Sequence, residues 1–489
     1  MALLASIRST FSQLTPYFIN LLFTCTLGTL LFGFHLAELN APQDVITCVS
    51  SGVGKESFDL PDCIPMTSVE LGLVSSIYTI GGLVGALPAG YLTSKYGRLL
   101  PMRINTLIFV LGAIGEAFAP SIPVLAIGRF ISGIAAGSST VIVPLYISEI
   151  APPSQKGFWG AFTQISTNSG IFVTQLIGYF LSHGQYWRVI LATAGVIAAV
   201  QFFVLLFAVE SPIWAAENGQ EEQAREALIK IRGKEPDLRD EVEAARDAGD
   251  GLLDEHQTLL TSDDQANNET RAMVQPVGFF QVVTKKEYLP AIIAVISIMA
   301  AQQLCGINSV IMYGVSLLAS VLSAGSALLN ILLSILNIVN TTACAPLSDI
   351  IGRKTCILGS IAGMGTSSLL LGIGLRTETP ALSAVAVLIF VASFGFGLGP
   401  VPFILASELV GPEAVGAVQS WGLAANWIST FLVAQFFPLL TEKLPRGAPY
   451  FLFAALALFF FLFIGWWVPE TKGKKNADEV WGRKPARED

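Results

Sequence analysis

Twelve apolar blocks, each about 20 residues long, run from 17–39 to 448–468. A helical block of that length crosses the hydrocarbon of a bilayer, and a helix satisfies its own backbone polar groups in lipid. Of the 489 residues 53% are hydrophobic and 13% are charged, too few charges to cover a soluble surface of this size. Gly81-Gly82 and the Gly133/Gly137 pair lie inside blocks and read as helix-packing surfaces. The expected fold class is an all-α membrane protein with twelve transmembrane helices. The first block is too long for a signal-peptide core, and no small-residue cleavage site follows it.

Most of the 28 Lys and Arg fall on the cytoplasmic side when both termini are placed there, an asymmetry that supports an even number of spans with cytoplasmic ends. The formal charge of −8 comes largely from the middle loop and points to no partner. The chain also repeats itself. GYLTSKYGR (90–98) returns as PLSDIIGR (346–353), and PLYISEIAP (144–152) as PFILASELVGP (402–412). Arg98 to Arg353 and Glu149 to Glu408 are separated by nearly the same length of chain, so the spans form two pseudo-symmetric six-helix bundles. The organisation is a first bundle at 1–209, a linker at 210–288, a second bundle at 289–468 and a tail at 469–489. A helical pattern over Glu221–Ile231 opens the linker, and a polar, acidic stretch continues it.

The repeated loops place cations and carboxylates at the ends of helices on the cytoplasmic face. Arg98, Lys156 and Arg353 with Glu149, Asp349 and Glu408 form a candidate gate that ties the two halves together and releases when that face opens. Arg129, a cation inside the fourth span, is grouped with them. The plainer alternative is that these cations only follow the positive-inside rule; the duplication favours the gate. Cys48 and Cys63 share one extracytoplasmic loop, where a disulfide is expected. Cys25, Cys305, Cys344 and Cys356 read as packing residues. The three histidines are far apart, no nucleophile has a base partner, and no Gly-rich phosphate loop occurs. No enzyme, cofactor or metal centre is therefore expected.

GRFISGIAAG (128–137), PLYISEIAP, VESPIWAAENG (209–219), QQLCGIN (302–308), GPVPF (399–403), NW (426–427) and VPETKG (468–473) occur in order across nearly the whole chain. Together they resemble the sugar porter branch of the major facilitator superfamily. FGF followed by LNAPQ is similar to the first helix of animal facilitative glucose transporters, and fungal members, vacuolar ones among them, look nearest. The resemblance implies the major facilitator fold with a hexose held between the halves. The matching positions are Gln164 in the fifth span, Gln302, Gln303 and Asn308 in the seventh, Asn337 in the eighth, Phe403 in the tenth, and Asn426-Trp427 in the eleventh. Amides suit this role because they donate and accept hydrogen bonds without a charge to desolvate. The alternative is that these amides only join helix to helix, which weighs most for Asn337 and Asn426. A seventh span interrupted at Gly306 is expected to act as a gate.

The sequence departs from that pattern at several places. Gly395 stands where glucose carriers have a glutamate, and Phe403 replaces a tryptophan, which alters a sugar contact and a stacking surface. Ile213 and Val415 replace arginines, and Ser94 replaces the acid that the second loop keeps as Asp349. His35 stands where proton-coupled porters have aspartate, so facilitative uniport is favoured over proton symport. Glu38, three residues on, reads as a water-facing carboxylate; the minority reading makes it a displaced proton site tuned by His35. EHQTLL in the linker fits, with Glu255, Leu259 and Leu260, an acidic dileucine signal for a clathrin-adaptor complex and a vacuolar or endosomal address. Both NxT patterns, Asn268 and Asn340, are expected to be unused. The rival to a carrier is a non-transporting sugar sensor, which the short tail disfavours.

Overall fold

The computed structural model describes residues 15–49, 60–152, 155–233, 279–319, 325–344, 347–411, 414–474 and 477–482. The dileucine residues Glu255, Leu259 and Leu260 lie outside them, as do the side chains of Lys156 and Asp349. No strand occurs among the described residues. The first half contains α1 (Pro16–Ala37), α2 (Ser68–Tyr96), α3 (Leu99–Ala117), α4 (Ile122–Ile150), α5 (Lys156–Leu181) and α6 (Trp187–Leu205). In the second half the seventh span is split into α7 (Leu289–Leu304) and α8 (Ile307–Ala319). Then come α9 (Ser326–Cys344), α10 (Arg353–Arg376), α11 (Pro380–Phe396), α12 (Val401–Glu408), α13 (Val415–Lys443) and α14 (Ala448–Trp467). The split falls at Gly306, whose φ of +100° no ordinary helix allows. A second break separates α11 from α12.

Among the described residues, eleven helices are long and apolar enough to cross a membrane by length and composition alone. The fifth span, α5, falls short because Gln164, Thr167, Asn168, Thr174 and Gln175 lie within it. It still packs as a span between α1 and α9. A helix does not carry that many amides and hydroxyls through lipid unless its neighbours satisfy them.

Sequence signals set the helix ends. Thr15 caps α1 by accepting from Phe18 N at 3.1 Å, with Pro16 at the first position. Thr67 and Glu70 form a reciprocal capping box at the start of α2. Inside the first half, α2 and α4 approach backbone to backbone. A Cβ on Gly85 would lie 1.9 Å from Ile134 O, and one on Gly137 would lie 1.8 Å from Gly82 O. That closeness replaces the hydrophobic effect as the source of helix adhesion in lipid. In the linker, after the short helix Pro212–Glu217, the amphipathic helix Glu221–Arg232 buries Ala224, Ala227, Leu228 and Ile231. Ile231 O accepts from Thr15 Oγ1 at 2.6 Å, which fastens this helix to the start of α1.

The halves meet along two seams, α2 against α13 and α5 against α9. At the end that carries the Cys48–Cys63 disulfide they are tied directly. Asn40 donates to Ile311 O at 2.8 Å and accepts from Val315 N at 2.9 Å. Ser76 donates to Gln435 Oε1 at 2.8 Å, and Ser316 to Gln43 Oε1 at 3.3 Å. The disulfide end is shut.

Candidate substrate site and buried charge cluster

The break at Gly306 brings four amides together. Gln302 donates to Leu398 O at 2.6 Å and Gly399 O at 3.2 Å, joining the last turn of α7 to the break before α12. Its Oε1 accepts from Asn426 at 2.5 Å and Gln303 at 3.2 Å. Asn308, on the far side of Gly306, donates to Gln303 Oε1 at 2.6 Å and Thr430 Oγ1 at 3.4 Å. Gln303 Nε2 closes the ring on Asn426 Oδ1 at 3.3 Å. Gln302 and Asn308 are buried, while Gln303 and Asn426 are half-buried and reachable. A uniform ring of neutral amides can exchange these bonds for sugar hydroxyls one at a time.

Across the α5–α9 seam a second chain of amides forms. Gln164 donates to Asn168 Oδ1 at 3.3 Å, and Asn337 donates to the same oxygen at 3.2 Å. Asn168 Nδ2 donates to Thr341 Oγ1 at 3.2 Å. Asn168 was not singled out in the sequence; only its position one turn after Gln164 on a polar span signals it. Trp427 is buried with its ring against Gly82, edge-on to Phe32 and Tyr78, and its indole N–H has no partner among the described residues. Phe403 lies beyond the break in α12 and is 43% exposed. The space at Gly395 is occupied: a Cβ there would lie 2.5 Å from Asn340 Nδ2. That amide donates to Ala392 O at 2.5 Å. Asn340, which the sequence offers only as an unused glycosylation pattern, fills the space beside Gly395.

A separate cluster sits beneath the shut disulfide end. His35 Nδ1 is 2.9 Å from Glu38 Oε1, and the Arg129 guanidinium bonds Glu38 and, at 2.7 Å, His35 O. Glu116 of α3 accepts from Ser132 Oγ at 2.6 Å and lies 3.8 Å from His35 Nδ1. The Arg129 guanidinium stands 4.5 Å from the centre of the Tyr78 ring, and His35 stacks on Phe109 at 5.4 Å. All four ionisable side chains are buried. Two expectations are corrected here. Glu38 does not face water: it ends α1 inside the bundle, where Arg129 compensates its charge. Arg129 is not part of the gate at helix ends, because it lies about 30 Å along α4 from Glu149, at a rise of about 1.5 Å per residue. Glu116 was missed, although an acid ending an apolar span asks for a buried partner. One oxygen of each carboxyl and a His35 ring nitrogen lie within 4.8 Å of one another, a spacing a metal would accept. The guanidinium bonded to Glu38 already supplies a fixed cation there.

At the opposite, linker-bearing end, Arg98 grips Glu149 through two hydrogen bonds, one of them 2.8 Å long. Arg353 pairs with Glu408 at 3.0 Å. Each pair joins helix ends of the same half, so the expectation of bonds between halves is corrected: here they brace each bundle internally. Two further carboxylates repeat the symmetry. Glu210 accepts from Arg98 N and Leu99 N at 2.8 and 3.1 Å, and Glu470 accepts from Arg353 N and Lys354 N at 2.9 and 3.4 Å. Each caps the positive end of a helix. Gly97 and Gly352, at φ of +84° and +116°, make room for them: a Cβ would come within 2.5 and 2.6 Å of the carboxylate. Burial opposes ionisation of Glu470, but the backbone N–H groups of Lys472, Lys354, Thr355 and Arg353 outweigh it and hold its carboxyl below the ordinary range.

Comparison with known proteins agrees with this architecture. The family model described as "Sugar (and other) transporter" matches residues 21–481. The probable metabolite transport protein YBR241C of Saccharomyces cerevisiae is 33% identical over 486 residues, covering 97% of each chain. Vacuolar protein sorting-associated protein 73 of the same yeast is 30% identical, covering 91% of this chain and 92% of its own. The rat facilitated glucose transporter member 3 of solute carrier family 2 is 30% identical, covering 96% and 93%. Among solved structures, the xylose transporter XylE from E. coli in a partially occluded inward-open conformation superposes with a TM-score of 0.75 at 23% identity. It covers 94% of this chain and 100% of that one.

Proposed function

This chain belongs to the sugar transporter family of the major facilitator superfamily, and from that premise we propose that it carries a hexose-type sugar by alternating access. The observation that carries the proposal is the amide ring of Gln302, Gln303, Asn308 and Asn426 at the break in the seventh span. Such a ring offers a neutral polyol many exchangeable hydrogen bonds, while α8 beyond Gly306 can swing as a gate. Asn168 and Asn337 extend the site across the seam, so both halves touch one substrate. With both termini placed in the cytoplasm, the shut disulfide end faces the exterior or a lumen, and the protein is inward-facing. Opening and closing then exchange the ties at Asn40 and Gln435 for contacts at the linker end.

Movement is facilitative in this reading, because His35 stands where proton-coupled porters carry an acid. A yeast relative named for vacuolar protein sorting supports a vacuolar or endosomal membrane, with the Glu255–Leu260 dileucine as an adaptor signal. Purified protein in liposomes, offered a panel of labelled sugars, tests the carrier. Uptake of a hexose, lost in Gln302→Ala and Asn308→Ala, is the expected result. Binding with no flux of any sugar would instead make the protein a sensor, and unchanged uptake in both variants would refute the site.

A further inference from the structure

The cluster beneath the shut disulfide end contains one fixed cation, Arg129, and two carboxyls, Glu38 and Glu116, all withdrawn from solvent. With both carboxyls ionised the cluster would hold an unbalanced negative charge in a medium where that is costly. The hydrogen bonds show where the imbalance lies. Glu38 Oε1 takes Arg129 and His35 Nδ1, and Glu116 Oε1 takes Ser132, so both Oε2 atoms are left with no donor among the described residues. One oxygen of each carboxyl lies within 4.8 Å of the other. Two carboxylates facing each other have acceptors only, and one proton supplies the missing donor. His35 is a poorer host: its Nε2 has no partner among the described residues, so an imidazolium N–H there would point at none of their acceptors.

We propose that Glu38 and Glu116 form a proton-binding site that is filled when the disulfide end shuts and emptied, to the same side, when it opens. The release is a simple acid dissociation. The O–H bond of the protonated carboxyl breaks, its electron pair stays on the carboxylate, and the proton passes to water entering from that side. The link to the gate is short. Asn40, whose bonds to Ile311 and Val315 hold the two halves together, follows Glu38 by two residues. Separating those bonds uncovers the end of α1 and lets water solvate both carboxylates. In the other direction the cluster is sealed. Phe109 covers the His35 ring, and the Tyr78 ring underlies Arg129 with its hydroxyl spent on Phe32 O at 3.0 Å. Among the described residues, the other titratable or charged groups beside the pair are His35, Arg129 and Tyr78, with Tyr313 farther off on α8, its hydroxyl donated to Ala434 O at 2.6 Å. Arg188 of α6 is near but committed to the carbonyls of Ala117 and Ala119 at 2.9 and 2.8 Å. Transport therefore stays facilitative, and acid on the disulfide side favours the shut state. The inference rests on the alternating-access reading above and not on the identity of the sugar.

The test is a spin-label distance measurement on the full-length protein in lipid. Labels go at the exposed residues Val69 and Leu444, one on each half at the disulfide end. The ratio of shut to open populations should rise about tenfold for each pH unit lowered, as uptake of one proton on closure requires. In Glu116→Gln, whose amide keeps the donor, the ratio should stay high and flat with pH. In His35→Gln the slope should persist. Should Glu116→Gln fail to fold, Ser132→Ala replaces it: removing a donor to the carboxylate should move the midpoint to higher pH. A flat wild-type ratio, an unchanged slope in Glu116→Gln, an unmoved midpoint in Ser132→Ala, or a slope abolished by His35→Gln would each overturn the proposal. So would a proton carried through with each sugar, read by a pH dye inside the liposomes. The distance ratio needs no sugar flux, so failure of the carrier reading is seen separately.

Discussion

Gln302→Glu replaces one atom of the amide ring and reverses its hydrogen bonding. Gln302 Nε2 donates both its hydrogens, to Leu398 O at 2.6 Å and Gly399 O at 3.2 Å. A carboxylate oxygen in its place faces two carbonyl oxygens, and neither has a donor. Leaving a buried acceptor unpaired costs about 1–3 kcal/mol each, so the pair costs about 2–6 kcal/mol. Hydrogen bonds measured in membranes average about 0.6 kcal/mol, which sets a floor near 1.2 kcal/mol for two. At about 1.4 kcal/mol per tenfold, even the floor lowers kcat/KM for sugar uptake by about sevenfold. The sign of the pH response is fixed by the same geometry. A buried carboxyl facing two acceptors favours its neutral form, whose O–H donates to Leu398 O, so activity relative to wild type should recover as pH falls. Initial rates in proteoliposomes, expressed as the variant-to-wild-type ratio across pH, measure this. A ratio near one, or one that falls on acidification, would show that Gln302 does not hold the break between α11 and α12.

Other consequences can be measured as directly. Gly137→Ala and Gly85→Ala each force α2 and α4 apart; a loss of about 1–3 kcal/mol should appear as a lower unfolding temperature in detergent, and an unchanged one would disprove the tight seam. Gly395→Glu should abolish uptake because Asn340 occupies the space, and adding Asn340→Ala should restore it with altered sugar preference; a fully active single variant would refute the steric argument. The depressed Glu470 carboxyl stabilises the start of α10 at neutral pH, and this contribution is lost as pH falls through its lowered pKa. Hydrogen exchange at Arg353–Thr355 should therefore accelerate in acid, and Glu470→Gln should exchange fast at all pH; equal protection in the variant at neutral pH would rule the cap out.

Much of this protein is legible in the sequence because lipid is an unforgiving solvent. Blocks of about 20 apolar residues have one way to satisfy their backbone, so span number and type follow from composition. The internal repeat gives the two halves, and Gly306 marks the break that only a positive φ accommodates. The amides at 302, 303, 308 and 426 stand out because polar groups in spans require a reason. Partnership is different, since it depends on which faces of which helices meet. Arg129 reads as one more cation for a gate until α1, α3 and α4 bring it to Glu38 and place Glu116 beside them. Arg98 and Glu149 read as a tie between halves until the fold puts both in one bundle. Asn340 carries no signal of its own until Gly395, 55 positions away in sequence, leaves a hole for it. Hydropathy and periodicity act locally along the chain; charge compensation and steric complementarity act between segments, and only tertiary packing decides them.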